Sequence, residues 1–286
     1  MGIRLIAGLA LLAGMPVSAQ GAMPDCGTGP AAAAAANAAG FDTLEWAPFR
    51  RPERGWAVYA NKIAAEIATR CTIDTPGFAA ALARWQVAHG LPATGVVDAP
   101  GFAVMNAGWT AARPRLPVAS DGSCTPAPPG VLALASASES YGNKVIMLRR
   151  DALAAYRQLR AAAARELPPV DADWFRIFSG FRAPEADAQR CLVEGNCDGI
   201  VRAVCSVHRT GLAIDLHVGH APGFGPDSSD DGNRRAMVRT LAYRWLVTNA
   251  ARFGFANYVF EPWHWEFVPP SRSMASTRPP APGKTK

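Results

Sequence analysis

A proline-rich stretch divides the 286-residue chain into two parts with different patterns. Between residues 111 and 130 the apolar residues show little periodicity, and five prolines occur: Pro114, Pro117, Pro126, Pro128 and Pro129. Because proline fixes φ and lacks an N–H, it interrupts both helices and sheets, and such composition is typical of a linker. We therefore predict a linker over 113–130, between one domain over 41–112 and another over 131–275.

The part before the linker has the pattern of helices. Segments Trp56–Arg70 and Gly77–His89 repeat apolar residues at helical spacing. Thr75-Pro76 supplies an N-cap and a first-turn proline to the second segment, and Gly90 is a natural end for it. The apolar side chains on one face of that helix are expected in the core: Phe78, Leu82 and Trp85.

The part after the linker mixes helices and strands. Arg149–Leu167 is predicted to be a helix that ends before Pro168, and Asn233–Phe253 a second helix closed by Gly254. Four shorter runs are predicted strands: Trp174–Phe181, Leu212–Val218, Phe255–Phe260 and His264–Val268. This order predicts an α+β fold, a small antiparallel sheet with flanking helices, preceded by a small helical domain.

The N-terminus has the features of a secretory signal peptide over residues 1–19. One cation, Arg4, precedes the apolar run Leu5–Met15, and small residues end the segment at Ala19. A membrane-spanning helix is the alternative, but the run is too short to cross about 30 Å of hydrocarbon. We expect export to the periplasm or the cell wall, no membrane insertion after cleavage, and a monomer.

Two further segments carry little pattern. Residues 20–40 are rich in alanine and glycine and are interpreted as a spacer or a frayed helix. The tail over 276–286 contains prolines without apolar periodicity and is expected to be disordered.

All six cysteines follow the predicted cleavage site: Cys26, Cys71, Cys124, Cys191, Cys197 and Cys205. An even number in an oxidising compartment predicts up to three disulfides, although six cysteines allow 15 pairings. A zinc site formed by the last three is the alternative. Their spacings, with five and seven intervening residues, do not match a CxxC knuckle, which favours disulfides.

The charge balance bears on the partner. With 29 basic and 23 acidic residues, the net charge of +6 is small for 286 residues. Proteins that bind nucleic acid through the phosphates cluster Lys and Arg more densely, so this function class is excluded. A mild attraction to an acidic wall polymer is compatible with the charge.

Histidines and carboxylates cluster in the second part of the chain. A catalytic zinc needs three protein ligands, an open position for water, and a nearby carboxylate to take the proton of that water. His208, Asp215 and His264 are the candidate ligands, and Glu261 is the candidate general base. His217 lies on the same strand face as Asp215 and is an alternative ligand.

Two motifs carry a family resemblance. Ser206-x-His208-x-x-Gly211-x-Ala213-x-Asp215 and Glu261-Pro-Trp263-His264 resemble both signature motifs of the zinc D-alanyl-D-alanine carboxypeptidases of the VanY type and their dipeptidase and endopeptidase relatives. The resemblance extends over about 170–268. It implies the metallopeptidase fold of this family, zinc on His208, Asp215 and His264, and Glu261 as the base.

The same resemblance implies substrate contacts. Ser179-Gly180-Phe181-Arg182 is similar to the family's SGYR segment, so Arg182 is expected to meet the substrate or hold the developing oxyanion. Ser206 and Trp263 are further expected substrate-binding residues. A plain surface ion pair is the alternative for Arg182. Phe181 replaces the usual Tyr and Ala183 the usual Ser, so hydroxyl roles at these positions are not implied.

A second, partial resemblance lies in the first part of the chain. The run from Phe78 to Gln86, followed by Gly90 to Asp98, is similar to the small peptidoglycan-binding domain of exported cell-wall enzymes. The family's usual first helix, with its LQ pair, is absent from the match. A helical prodomain or spacer without a ligand is the alternative for 41–112.

Together the resemblances imply an exported zinc peptidase that trims peptidoglycan stem peptides, with a D,D-carboxypeptidase releasing terminal D-alanine as the first hypothesis. An endopeptidase that cuts within the stem peptide or its cross-link has the same motifs and is the alternative. A non-catalytic cell-wall binding protein with a structural zinc is a third hypothesis, which a closed four-ligand site would support.

Overall fold

The computed structural model describes residues 25–116, 125–128, 130–168, 171–194 and 206–269. The predicted signal peptide and the predicted disordered tail lie outside these ranges. Within them, none of the helices combines the length and the apolar character that crossing a bilayer requires.

The described residues form helices and short strands that are mixed along the chain. The helices are α1 (Ala31–Gly40), α2 (Ala60–Glu66), α3 (Pro76–Ala88), α4 (Ala99–Ala111), α5 (Arg150–Glu166), α6 (Pro184–Glu194), α7 (Asp231–Val238) and α8 (Leu241–Asn249). The strands are β1 (Glu45–Trp46), β2 (Glu53–Arg54), β3 (Leu132–Leu134), β4 (Met147–Arg149), β5 (Ile177–Ser179), β6 (Ala213–Leu216), β7 (Phe255–Asn257) and β8 (His264–Phe267).

A four-stranded antiparallel sheet organises the second part of the chain. Its strand order is β5-β6-β8-β7, while β1 with β2 and β3 with β4 form two smaller antiparallel pairs. Every residue of the central strands β6 and β8 is buried. The predicted mixture of helices with small antiparallel sheets is therefore confirmed.

Helix α3 has the cap, the terminating glycine and the apolar face that the sequence predicts. The Thr75 side chain accepts a hydrogen bond from the Phe78 N–H and so caps the first turn. Gly90 follows the helix with φ of +70°, a conformation that L side chains rarely adopt. The three residues predicted to face the core are all buried: Phe78, Leu82 and Trp85.

The prediction of one helix over Asn233–Phe253 is wrong. Helix α7 ends at Val238, and α8 starts anew at Leu241 because the Thr240 side chain accepts a hydrogen bond from the Tyr243 N–H. A 3-10 turn over Ala250–Phe253 completes the segment. The capping threonine thus outweighs an apolar periodicity that runs through the break.

Two N-terminal segments also differ from the sequence interpretation. Of the two readings of 20–40, a spacer or a frayed helix, the structure supports a helix for its second half, because α1 packs through Ala33, Ala34 and Asn37. The helix predicted over Trp56–Arg70 is shorter, with a 3-10 turn over Ala57–Tyr59 followed by α2.

One apolar core joins the residues on the two sides of the predicted linker. It includes Trp56 and Phe78 from the first part and Ile214 and Trp265 from the sheet. The linker and the domain boundaries at 113–130 stay predictions from the sequence.

A buried arginine reinforces this junction. Arg234 of α7 has 0% exposure. It donates hydrogen bonds to the Phe260 carbonyl oxygen at 2.9 Å and to the Tyr59 hydroxyl at 2.7 Å. Its Nη1 lies 3.3 Å from Glu53 Oε2 and 3.0 Å from Asp231 Oδ1. Residues from β2 and the turn after it are therefore tied to the loop that precedes Glu261.

One disulfide lies in the first part of the chain, between Cys26 and Cys71. It brings the segment before α1 next to α3, where the Gly77 N–H donates to the Cys26 carbonyl oxygen at 2.9 Å. Three of the other cysteines lie outside the described residues, and nothing is described of the fourth one's side chain: Cys124, Cys197, Cys205 and Cys191.

Candidate metal centre

Three side chains that are distant in sequence converge beside the central strands. His208 lies in a 3-10 turn over Val207–Thr210, Asp215 on β6 and His264 at the start of β8. Asp215 and His264 are cross-strand partners in the antiparallel register. One ligand atom from each of the three lies within 4.8 Å of the others, and all three residues are buried.

A glycine shapes the turn between the first two of these residues. Gly211 has φ of +70°, and its N–H donates to the His208 carbonyl oxygen at 3.1 Å. A Cβ at this position would lie 2.8 Å from Leu132 Cδ2 and 3.1 Å from the Arg149 backbone nitrogen. The backbone therefore approaches its neighbours closely at Gly211, and the chain returns to β6 after one short turn.

Hydrogen bonds fix the orientation of both imidazoles. The Gly180 carbonyl oxygen lies 2.7 Å from His208 Nδ1, and because a carbonyl only accepts, Nδ1 carries the hydrogen. His208 Nε2 then faces the cluster, 3.3 Å from Asp215 Oδ2. His264 is turned the other way, with Nδ1 2.9 Å from Asp215 Oδ1 and Nε2 3.0 Å from Glu266 Oε1.

The two histidines of the cluster have pKa values that are shifted in opposite directions. Burial lowers the pKa of His208, an effect that Arg182 strengthens. Burial also opposes the charged form of His264, but hydrogen bonds to Asp215 and Glu266 outweigh it and raise the pKa of His264 to about 10. Since a metal ligand must be deprotonated, a cation at the cluster competes with the proton on Nδ1 of His264.

Glu261 lies beside the cluster without belonging to it. Its side chain is 13% exposed, and Oε2 is 3.8 Å from Nδ1 of His264. Asn257 donates to the carbonyl oxygens of Glu261 and His264, at 3.2 and 2.8 Å, which fixes the turn between them. Burial raises the pKa of Glu261 to about 7 against the attraction of His264. A carboxyl group with such a pKa is suited to proton transfer near neutral pH.

Arg182 also contacts the cluster. Its Nη2 donates to Asp215 Oδ2 at 2.9 Å, and its Nε donates to the Ser179 hydroxyl at 3.0 Å. The Arg182 side chain is 20% exposed, so it lies at the edge of the site. This position differs from a plain surface ion pair, because the partner carboxylate is one of the three clustered groups.

The structure gives the two other expected substrate-binding residues structural contacts. The Ser206 side chain accepts a hydrogen bond from the His208 N–H at 3.3 Å and so caps the turn. Trp263 is 3% exposed, belongs to the apolar core, and accepts the Leu216 N–H through its carbonyl oxygen. Both side chains support the backbone that carries the cluster.

The remaining histidines lie apart from the three. His217, the alternative ligand, is not in the cluster, and its ring stacks on Tyr141 with 4.5 Å between centroids. His89 and His220 are exposed.

Sequence reasoning missed an arginine that reaches the cluster through Glu266. Arg113, just after α4, donates from Nε to Glu266 Oε2 at 2.7 Å and from Nη2 to Oε1. The two residues are 153 positions apart. No sequence motif links them.

The donor set suits zinc. Two imidazole nitrogens and one carboxylate oxygen are ligands that zinc accepts, and three protein ligands are the usual number in catalytic sites. His208 hydrogen-bonds to a carbonyl oxygen and His264 to a carboxylate. Metal-binding histidines normally have such partners on the ring nitrogen that does not bind the metal. The cluster is therefore a possible metal site with a carboxyl group beside it.

Comparison with known proteins finds similar solved structures but no matching family model or curated protein. No family model matches the chain, and no curated protein matches it. The LD-carboxypeptidase LdcB is similar at 22% identity over 49% of this chain and 69% of that one, with a TM-score of 0.35. The zinc complex of a variant of the D,D-pentapeptidase VanY, from a VanB-type vancomycin resistance cassette, has 20% identity over 51% of this chain and 84% of that one, with a TM-score of 0.30.

DacB from Streptococcus pneumoniae D39 is also similar, at 24% identity over 42% of this chain and 66% of that one, with a TM-score of 0.29. A VanY protein is thus among the similar structures, as the two sequence motifs predict.

Proposed function

We propose that the protein is an exported zinc peptidase that trims peptidoglycan stem peptides, and specifically a D,D-carboxypeptidase that releases the terminal D-alanine. The convergence of His208, Asp215 and His264, with Glu261 at its side, is the observation that carries the proposal. The substrate class comes from the resemblance of the two motifs to the VanY-type enzymes.

The metal would be held by His208 Nε2, His264 Nδ1 and the carboxylate of Asp215, which are the atoms turned toward one another. Zinc bound there supplies a Lewis acid that lowers the pKa of a water molecule toward ~7 and polarises the peptide carbonyl.

Glu261 acts as the general base and then as the general acid. Its carboxylate accepts the proton of the attacking water and afterwards delivers it to the nitrogen of the departing D-alanine. Its position next to His264 and its low exposure keep the transferred proton close to the reacting atoms. The hydrogen bonds from Asn257 hold the turn that carries it.

Arg182 recognises the negative charge of the substrate. Ser179 orients the guanidinium at the edge of the cluster. A guanidinium binds a carboxylate through paired hydrogen bonds, so we expect Arg182 to bind the terminal carboxylate of the stem peptide. This contact separates a carboxypeptidase from an endopeptidase, whose substrate has no free carboxylate next to the cleaved bond.

The test compares Glu261→Gln with Glu45→Gln, the same change at an exposed strand residue. D-alanine release from a stem pentapeptide is measured by mass spectrometry, together with the zinc content of each protein. Because general acid–base catalysis contributes typically about 10² to 10⁴ in rate, Glu261→Gln should lose at least that factor and keep its zinc. Substantial activity in Glu261→Gln would overturn the assignment of the base.

The same assay with a C-terminally amidated pentapeptide distinguishes the two activities. The carboxypeptidase proposal predicts that amidation removes most of the turnover. Undiminished cleavage of the amidated peptide, or cleavage inside the stem, would instead identify an endopeptidase.

A further inference from the structure

Glu266 is a buried carboxylate outside the ligand set. It lies on β8 two residues after His264, and its exposure is 0%. Its Oε1 is 3.0 Å from His264 Nε2, on the side of the ring that faces away from the cluster. This carboxylate therefore contacts Nε2, while Nδ1 is the nitrogen of His264 that faces Asp215.

Arg113 holds that carboxylate through both of its oxygens. Nε donates to Oε2 at 2.7 Å and Nη2 donates to Oε1, which is the paired geometry of guanidinium and carboxylate. The guanidinium also lies over the Tyr258 ring, 4.6 Å from its centroid, and its side chain is 24% exposed. The contact is thus fixed from two sides and largely shielded from water.

Arg113 is the first residue of the predicted linker and is anchored to the end of α4. Its N–H donates to the Thr110 carbonyl oxygen of that helix at 3.2 Å. The contact therefore runs from the end of α4 through Glu266 to a side chain of the candidate metal centre.

We propose that Arg113 is a positioning residue for the metal centre, which holds Glu266 against His264 and so keeps Nδ1 of His264 directed at the metal. The proposal rests on the proposed function, since it assumes zinc on His208, Asp215 and His264. It assigns a role in zinc binding to the junction between α4 and the predicted linker.

The expected effect follows from the cost of an unpaired buried charge. Without Arg113, the Glu266 carboxylate has lost two of its hydrogen bonds in a buried position, so it turns toward water. This movement releases the Nε2 side of His264. Loss of such an outer partner typically lowers metal affinity or activity by about 10- to 100-fold.

The experiment measures the zinc dissociation constant of the full chain by competition with a chelating dye, and kcat and KM for a stem pentapeptide. Arg113→Ala should weaken zinc binding by about 10- to 100-fold and lower kcat more than KM changes, because the substrate contact at Arg182 is retained. Arg115→Ala, the same change at an exposed residue two positions away, should match the wild type. Arg113→Lys should restore only part of the affinity, since an ammonium cannot form the paired contact.

A double variant adds a second criterion. If Arg113 acts through Glu266, Arg113→Ala combined with Glu266→Gln should bind zinc no more weakly than Glu266→Gln alone. Additive losses, or zinc binding by a folded Arg113→Ala within about twofold of the wild type, would overturn the proposal.

The outcomes separate this proposal from the one on which it rests. If the wild type binds no zinc, the proposed function is wrong. Unchanged zinc affinity in Arg113→Ala, with a zinc-dependent wild type, refutes the role of Arg113 alone. Should Arg113→Ala not fold, Arg113→Lys decides, because wild-type affinity in that variant also contradicts the paired contact.

Discussion

Arg234 offers the most direct way to perturb the junction between the two parts of the chain. The guanidinium has 0% exposure and the Glu53 side chain 3%, whereas the Asp231 side chain is 34% exposed. Arg234→Met replaces the guanidinium by an unbranched apolar side chain that still fills most of the space. The Glu53 carboxylate then stays buried without its cation. We expect the free energy of unfolding to fall by about 3 to 5 kcal/mol, the usual cost of breaking a buried pair on one side.

Most of this cost should come from Glu53. The contact with the partly exposed Asp231 contributes less than about 1 kcal/mol, as surface ion pairs do. Arg234→Met combined with Glu53→Gln should therefore be less damaging than the sum of the single changes, by about 1 to 3 kcal/mol. Arg235→Met is the matched control, since its partner Asp42 is 58% exposed, and it should cost about 1 kcal/mol or less.

The assay is urea unfolding of the full chain, followed by circular dichroism for the wild type and the four variants. Because the core is continuous across the two parts, we expect one transition in each case. A loss below about 1 kcal/mol in Arg234→Met, or additivity within about 0.5 kcal/mol in the double variant, would show that the cost does not come from the unpaired Glu53 carboxylate.

Three further predictions concern stability and the turn at the site. Removing the disulfide by Cys26→Ser with Cys71→Ser should cost about 2 to 4 kcal/mol in thermal or urea unfolding, because the bond closes a loop with a sequence separation of 45; a smaller change than about 1 kcal/mol contradicts this. The Arg157 guanidinium lowers the pKa of Glu139 from 4.5 to about 2, so this carboxylate stabilises the fold above about pH 4.5 and the contribution is lost as the pH falls to about 2. Glu139→Gln should therefore unfold more easily than the wild type at pH 7 and equally at pH 2, and an equal difference at both would refute the sign. Gly211→Ala should lose about 1 to 3 kcal/mol and bind zinc more weakly, since a positive φ and a 2.8 Å contact oppose the new Cβ; unchanged zinc affinity would show that the turn does not control the cluster.

The parts of the structure that the sequence predicted depend on local signals. The Thr75 cap, the apolar face of α3 and the terminating Gly90 act within a few residues of one another, and all three are present. The grouping of His208, Asp215 and His264 was likewise expected, because the two motifs resemble those of the VanY-type zinc carboxypeptidases.

The features that the sequence did not predict depend on contacts between distant segments. Arg113 and Glu266 are 153 residues apart, and Arg234 and Tyr59 are 175 apart. Neither pair has a local spacing that would indicate it. The break at Thr240 was missed for a different reason, since the apolar spacing continues across it and only the cap distinguishes two helices from one.

Zinc titration of the metal-stripped full chain measures whether the activity depends on one bound metal ion. D-alanine release from a stem pentapeptide is followed as zinc is added in substoichiometric steps. We predict no activity before zinc, a linear rise, and saturation at one zinc per chain, because His208, Asp215 and His264 form a single three-ligand cluster. Full activity in the metal-stripped protein, or no activity at any zinc content, would contradict the proposed zinc peptidase.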